Sequence, residues 1–266
     1  MYVDVHTHLV HRQFSGEEDA TAERARDAGL DVVIVNGLEP VSNRAVLELC
    51  ARHDHLYPAI GIYPVDAGCA AITAENWTHD WGPPAFFDVD AEIAWIEQNL
   101  DRVVAIGECG LDRHWVDDNE VRVEQERVLR RLCELSVKHD KSLILHTRKA
   151  EERTFEIVRE MDVQKADFHC FGGKSKLAVR IADAGYYFSI PPVVTRAQSF
   201  QALARKLPLD RLLTETDAPY MGPDPGQRNE PANVPRGVAA IAQARGEELE
   251  AVRDAIRTNC RRLFAV

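Results

Sequence analysis

The sequence predicts an α/β fold, a single (β/α)8 TIM barrel in which residues 1–266 form one domain. Short apolar runs alternate with amphipathic helical segments along the whole chain, as in a series of β–α units. Runs such as VVIV and VVAI are almost continuously apolar, which is typical of parallel strands buried on both faces. No Ser/Gly-rich linker and no change in composition divides the chain, so one barrel is favoured over two domains.

Eight segments rich in apolar and β-branched residues are predicted to be the strands. They are residues 2–5, 32–36, 56–61, 103–108, 142–146, 165–169, 186–190 and 212–215. Helical periodicity separates them: Ile93, Ile96 and Leu100 recur at steps of three and four, and residues 120–139 and 252–263 continue this period. A doubly wound open sheet is the alternative, but no GxGxxG turn follows the first strand to support it.

Two connections are long for a compact domain, which is usually a sign of function. Residues 62–89 carry Trp77, Trp81 and the pair Phe86 and Phe87, and residues 218–232 are rich in proline and glycine. The aromatic connection is expected to cover the barrel or, in the alternative interpretation, to act as a lid or as a platform on which bases stack.

Composition and charge limit the classes of function. The 266 residues include 32 Lys and Arg and 43 Asp and Glu, a net charge of −11, which argues against coating nucleic acid through bulk positive charge. No apolar run approaches the ~18 residues of a spanning helix, and the start of the sequence does not resemble an export signal. The six cysteines are scattered, without a CxxC pair, so we expect reduced thiols in a cytoplasmic protein that has no membrane contact.

Six residues of metal-ligand type fall at the carboxyl ends of predicted strands. These are His6, His8, Glu108, His146, His169 and Asp217. The carboxyl ends of all barrel strands lie at one face, so these distant positions are expected to converge on one site. Four imidazoles and two carboxylates exceed what one tetrahedral zinc with an open position needs.

The six donors divide into two groups, which predicts two divalent ions. His6, His8 and Asp217 would hold one ion, His146 and His169 the other, and Glu108 would bridge them. Two ions roughly 3.5–4 Å apart polarise an electrophile and generate hydroxide at neutral pH, which is hydrolytic chemistry. The mixed nitrogen and oxygen ligands are compatible with Zn, Mn or Mg, and the sequence does not choose among them.

These ligands lie in motifs that together resemble the TatD family of metal-dependent hydrolases. The motifs are DVHTHL (4–9), IGECGLDRHW (106–115), LILHTRKA (143–150), FHCFGG (168–173), ETDAPYMGP (215–223), RNEPANV (228–234) and TNCRRLF (258–264). They occur in the family's order and span the chain. The resemblance implies a TIM barrel of the amidohydrolase superfamily, the same ligand roles, and metal-dependent deoxyribonuclease activity.

The activity that follows from this resemblance is that of a 3′–5′ exodeoxyribonuclease with DNA, preferably single-stranded or frayed at its ends, as substrate. A metal-bridging hydroxide would attack the phosphorus in line, and Asp217 would take the proton from the attacking water. Glu108 and Asp217 are therefore the predicted catalytic residues, and Glu215 is expected to orient a ligand histidine from behind. Two alternatives remain, a deacylase that uses the same ions on an amide or ester, and a scaffold without activity. A monomer is compatible with the sequence.

Cations gather in loops that follow the last four predicted strands and are expected to contact phosphate. The predicted substrate contacts are Arg148, Lys174, Arg228 and Asn229, and Lys149, Lys176, Arg196 and His114 are further candidates. Acidic runs at 17–19 and 117–118 are expected to repel the phosphate backbone, so a strand would cross only part of the rim. Salt should therefore weaken DNA binding steeply.

Other positions carry more local expectations. Tyr63 and Val65 stand where many family members have histidine, which alters the substrate contacts expected near the third strand. Gly172 stands where serine is usual, a change of one small residue for another. Asp112 is expected to hold its loop through backbone hydrogen bonds. Strand alternation predicts that Cys109 and Cys170 turn away from the metals and pack against the helices.

Overall fold

The computed structural model describes residues 1–80, 82–116 and 118–266. Two residues named above, Trp81 and Asp117, lie outside the described residues. Eight strands are present in the described ranges: β1 (Tyr2–Thr7), β2 (Leu30–Asn36), β3 (Leu56–Ile60), β4 (Ala105–Gly110), β5 (Ser142–His146), β6 (Ala166–Phe168), β7 (Phe188–Ile190) and β8 (Leu212–Thr214).

Helices follow the strands. They are α1 (Glu18–Asp27), α2 (Pro40–Cys50), α3 (Pro64–Ala67), α4 (Val89–Gln98), α5 (Asn119–His139), α6 (Glu151–Glu160), α7 (Ser175–Asp183), α8 (Gln198–Lys206), α9 (Val234–Arg245) and α10 (Leu249–Phe264). None of the helices that the structure describes combines the length and the apolar character that a membrane crossing requires.

The parallel strands close into a barrel. Strands β1 to β6 form one sheet in chain order, and β7 pairs with β8. A bridge between Asp167 and Tyr187 joins β6 to β7. The backbone N–H of Asp217, just beyond β8, donates to the carbonyl of His6 on β1 at 2.8 Å. The predicted (β/α)8 class is confirmed, because strands alternate with helices around this closed parallel arrangement.

Strand β4 runs two residues further than the sequence predicts, and two glycines allow this. Gly110 has φ +140°, and a Cβ there would lie 2.0 Å from the carbonyl oxygen of His146. A Cβ on Gly61 at the end of β3 would lie 2.5 Å from the carbonyl oxygen of Glu108. Only glycine permits backbones to approach this closely, so β4 stays paired beyond Glu108.

Two apolar clusters stabilise the fold. The larger cluster fills the barrel and the layer between strands and helices. The smaller one contains Val65, Trp77, Val116 and Val121, with Tyr63 and Trp115 packed against it. Trp77 is buried whereas Phe86 is 76% exposed, so the long aromatic connection covers the barrel at Trp77.

Candidate metal centre

His6 and His8 lie at the carboxyl end of β1, and strand alternation brings their rings to the same side. Their Nε2 atoms are 3.0 Å apart. Each Nε2 is also 3.7 Å from Oδ1 of Asp217, which follows β8. Asp217 has φ +52°, a left-handed conformation that aspartate tolerates better than most residues. Three side chains from the two ends of the chain therefore meet at one point.

Glu108 on β4 lies between two pairs of histidines. Its Oε2 is 3.5 Å from Nε2 of His6 and 3.2 Å from Nε2 of His8. Its Oε1 is 2.9 Å from Nδ1 of His146 and 3.0 Å from Nε2 of His169. Each carboxylate oxygen thus faces a different pair of imidazoles, which is the arrangement that a bridging ligand requires.

The donor atoms fit a metal-binding role. Three groups have ligand atoms within 4.8 Å of one another: His6, His169 and Asp217; His6, His8 and Glu108; Glu108, His146 and His169. All of these residues except His146 and Asp217 are buried, and those two are largely covered. Imidazole nitrogen and carboxylate oxygen are the common ligands of zinc and manganese. The cluster is therefore a candidate site for divalent metal.

Burial and mutual charge set the protonation of these groups. Burial alone would raise the pKa of Glu108, but the surrounding His169, His146 and His6 lower it well below its ordinary value. Burial, with the charge of His169, lowers the pKa of His6 well below its ordinary value. An ionised Glu108 and a neutral His6 are the forms that bind metal. Burial raises the pKa of Asp217 to about 6, which allows it to accept a proton near neutral pH.

Glu215 supports His169 from behind. Its Oε2 lies 3.5 Å from Nδ1 of His169 and accepts a 2.6 Å hydrogen bond from Oγ of Ser189. Its Oε1 accepts a 2.8 Å hydrogen bond from the backbone N–H of Cys170. Carboxylates in this position orient a metal-ligating imidazole and increase its basicity.

Asp4 ties β1 to the segment that carries Asp217. Its Oδ1 accepts hydrogen bonds from the backbone N–H groups of His6 at 3.2 Å and Thr216 at 2.9 Å. Its Oδ2 accepts one from the Thr216 hydroxyl at 2.5 Å. The two chain segments that present His6 and Asp217 are therefore joined through one buried carboxylate.

Asp112 has two roles, of which the sequence predicted one. Its Oδ1 accepts hydrogen bonds from the backbone N–H groups of His114 at 2.7 Å and Trp115 at 3.0 Å, which holds the loop as expected. Its Oδ2 lies 2.8 Å from Nε2 of His146, a contact that sequence reasoning missed. The only available signal was the position of this carboxylate four residues after Glu108 on the same strand end.

Tyr63 is a second residue near the centre that sequence reasoning did not place. Its ring meets the His146 ring edge-on at 4.9 Å, and its hydroxyl lies 3.4 Å from Oδ2 of Asp112. Tyr63 and Trp115 also pack against the same small apolar cluster. Tyr63 therefore packs against the centre and connects it to the loop after β4.

Two of the predicted substrate contacts, Asn229 and Arg228, form hydrogen bonds within the chain. The Asn229 amide donates to the carbonyls of Thr216 at 2.8 Å and Tyr220 at 2.7 Å, so both of its hydrogens hold its own loop. Arg228 donates to Oε2 of Glu17 at 2.7 Å and to the carbonyl of Gln13. These contacts link the loops after β1 and β8, and the Glu17 carboxylate balances the charge of Arg228.

The other two predicted contacts remain available. Arg148 and Lys174 are exposed and follow β5 and β6, at the same face as His146 and His169. Among the residues that the structure describes, neither forms an ion pair with a carboxylate, in contrast to Arg228. The Arg148 guanidinium carbon lies 4.8 Å from the centroid of the Trp115 ring.

Cys109 and Cys170, which strand alternation is expected to turn towards the helices, both contact the main core, Cys109 as a buried residue and Cys170 as a partly buried one. Cys109 is fully buried in the main core. Cys170 has φ +43°, so the strand alternation that the prediction assumed does not extend to it. Burial raises the pKa of its thiol well above the ordinary value, and the charges of Asp217 and Glu215 act in the same direction. This thiol therefore lies within electrostatic reach of the centre.

Comparison with known proteins identifies relatives along nearly the whole chain. The profile of the family described as TatD related DNase matches residues 3–265. Human "Deoxyribonuclease TATDN3" is 31% identical over 265 residues, 98% of this chain and 94% of the relative. The Salmonella typhimurium "3'-5' ssDNA/RNA exonuclease TatD" is 30% identical over 274 residues, 99% of this chain and 98% of the relative.

A solved structure agrees with the barrel described above. The crystal structure of YjjV, a TatD homologue from Escherichia coli, superimposes with a TM-score of 0.85 at 29% identity, covering 100% of this chain and 98% of that one. The YjjV sequence and several other relatives are named metal-dependent hydrolases. The match of the profile across nearly all of the sequence shows that this chain belongs to the TatD-related DNase family of metal-dependent hydrolases.

Proposed function

We propose that residues 1–266 act as one domain and hydrolyse phosphodiester bonds of DNA as a 3′–5′ exodeoxyribonuclease. The proposed substrate is a single strand or a frayed end, and the proposed location is the cytoplasm. The observation that carries the proposal is the position of Glu108, whose two oxygens face the pairs His6 and His8 on one side and His146 and His169 on the other. The names of the human and Salmonella relatives support nucleic acid as the substrate.

Two divalent ions fit these donors, with Zn, Mn and Mg as the candidates. His6, His8 and Asp217 would hold one ion, His146 and His169 the other, with Glu108 shared. When bound, the ions supply Lewis-acid polarisation of the phosphate and lower the pKa of a bound water.

The residues of this chain supply binding, orientation and proton transfer. Asp217, whose pKa burial raises to about 6, is proposed to accept the proton of the attacking water at Oδ1 or Oδ2. Glu215 and Asp112 fix the rings of His169 and His146 through the contacts described above. Arg148 and Lys174 bind the substrate phosphates at the rim.

Turnover of labelled DNA tests the proposal directly. We expect purified, metal-loaded protein to release 5′-mononucleotides from the 3′ end of a 5′-labelled single strand, and EDTA to abolish the reaction. Glu108→Gln should lower kcat by at least about 100-fold, because the shared ligand loses its charge. Glu126→Gln, on α5 and paired with Arg153, is the matched control and should keep full activity.

The alternative electrophile is tested with the same preparation. Turnover of N-acyl or ester substrates by protein that leaves DNA intact would replace the nuclease with a deacylase. Metal analysis addresses the number of ions separately. Two ions per chain are expected under metal excess, and a ratio that saturates at one would refute the shared role of Glu108.

A further inference from the structure

We infer that Trp115 is a positioning residue that holds the Arg148 guanidinium over its ring at the rim, where it binds the phosphate next to the scissile one on a single strand. The inference rests on the proposed nuclease function and adds a substrate subsite to it. It is carried by the contacts that join Trp115 to Arg148 on one side and to the metal centre on the other.

The first step is the stacking of Arg148 on Trp115. The guanidinium carbon lies 4.8 Å from the centre of the indole ring, within the range of a cation–π interaction. The N–H groups of a guanidinium lie in its own plane, so a guanidinium that contacts an indole through one face still presents them to an anion. Arg148 is exposed and, within the described parts of the chain, no carboxylate pairs with it.

The second step is the fixed position of Trp115 itself. Its backbone N–H donates to Oδ1 of Asp112 at 3.0 Å, and its carbonyl lies 2.7 Å from Nε2 of His79, whose ring meets the indole edge-on at 5.0 Å. The carbonyl of Arg148 accepts a 3.0 Å hydrogen bond from the backbone N–H of Arg113, so the two loops are also joined through their backbones. These contacts hold the loop that carries the indole before a substrate binds.

The third step is the link to the centre. The carboxylate of Asp112 that holds the Trp115 backbone also contacts Nε2 of His146 at 2.8 Å, and Tyr63 packs on the same imidazole. Asp112 thus connects the metal ligand His146 to the loop that carries Trp115. A nucleic acid strand that places one phosphate at the centre would meet Arg148 with a neighbouring phosphate.

Preorganisation explains why an aromatic ring belongs at this position. A free arginine loses rotamer entropy when it binds, whereas one that already rests on an indole loses less. The gain is expected in binding of substrates that extend beyond the scissile phosphate. A small phosphodiester that ends at the centre should gain nothing.

The test compares a single-stranded deoxyoligonucleotide with bis(p-nitrophenyl) phosphate. For Trp115→Ala we expect KM for the oligonucleotide to rise about fivefold to tenfold with kcat retained, while kcat/KM for the small diester stays within about twofold. Trp115→Phe keeps a ring beneath the guanidinium and should recover most of the loss. Trp95→Ala is the matched control, because Trp95 also stacks on an arginine, Arg44, in a pair formed by α2 and α4.

A double-mutant cycle separates positioning from a general structural effect. In the Arg148→Ala background, Trp115→Ala should cause no further rise in KM for the oligonucleotide, because the indole acts through the arginine. Additive effects, or equal losses on both substrates, would overturn the inference.

Equilibrium binding keeps this inference distinguishable from the proposed function. Fluorescence anisotropy of a labelled single strand is measured for each variant without reference to turnover. If the wild-type protein binds the strand but cleaves no DNA, and Trp115→Ala weakens binding, the subsite stands and the nuclease proposal fails. If the wild-type protein does not bind the strand, or if Trp115→Ala binds it as tightly, the subsite is refuted.

Discussion

Two sides of the candidate site each carry an arginine on an aromatic ring, and the arginines differ in what else they contact. After β5, Arg148 lies 4.8 Å from the Trp115 ring. After β8, Arg228 lies 4.6 Å from the Phe14 ring, but it also forms an ion pair with Glu17 at 2.7 Å. Among the described residues, Arg148 has no such carboxylate. Sequence position alone made the two arginines equivalent, whereas their partners leave Arg148 available to an anion and tie Arg228 to a neighbouring loop.

The two sides of the rim therefore differ in the positive charge that they offer to a substrate. The side formed by the loops after β4 and β5 carries Arg148, which lies over the Trp115 ring and is exposed to solvent. The side formed by the loops after β1 and β8 is neutralised by Glu17 and closed by hydrogen bonds of Asn229. A strand that enters the site is therefore expected to extend over the first side, in agreement with the net charge of −11, which argues against broad contact with DNA.

The largest expected effect comes from Asp112, which lies beneath the first side. Asp112→Ala removes the partner of His146 Nε2 and the two backbone bonds that hold the Trp115 loop. Loss of such a supporting carboxylate typically costs about 10–100-fold in metal affinity or activity. Metal titration together with kcat/KM on the oligonucleotide measures both parts. Asp112→Asn, which keeps a hydrogen-bonding oxygen for the loop, should retain more oligonucleotide affinity than Asp112→Ala, and equal losses would argue against the double role.

Asn229, beneath the opposite side, should affect stability and not chemistry. Asn229→Ala removes three side-chain hydrogen bonds: those donated to the carbonyls of Thr216 and Tyr220, and the one accepted from Asn233. The expected cost is about 1–3 kcal/mol in the free energy of unfolding, measured by denaturant titration. At a temperature where the variant is folded, KM for DNA should be unchanged. A large rise in KM with unchanged stability would restore Asn229 as a substrate contact.

The contrast between these residues shows how far the sequence reaches. The barrel and the convergence of His6, His8, Glu108, His146, His169 and Asp217 follow from strand order, because parallel strands end at one face. The partners of Arg228 do not, since Gln13 lies 215 positions away and only the closed barrel brings the two loops together. The φ of +43° at Cys170 breaks the alternation that a strand pattern assumes, although the side chain still packs against the main core. Loop contacts and backbone reversals are properties of the folded chain and leave no periodic signal.

Direct comparison of the two arginines tests the asymmetry of the rim. Arg148→Ala should raise KM for a single strand about tenfold, while Arg228→Ala should change it less than about twofold. The logarithm of binding affinity against the logarithm of salt concentration should lose a slope of about 0.7 with Arg148→Ala only, since one phosphate contact disappears. If the salt dependence of binding changed equally in the two variants, the ion pair with Glu17 would not prevent Arg228 from contacting the substrate.

The smallest expected effect is the most specific test of that withdrawal. Glu17→Gln removes the charge that pairs with Arg228 but keeps an oxygen near it, so Arg228 gains freedom to meet a phosphate without loss of the loop. We expect affinity for a single strand to rise about twofold, with a slightly steeper dependence on salt, because exposed ion pairs are weak and their release changes little. The gain should vanish in the double variant Glu17→Gln with Arg228→Ala. A gain that persists there would come from the lost negative charge alone, and the two sides of the rim would then differ in net charge and not in the availability of their arginines.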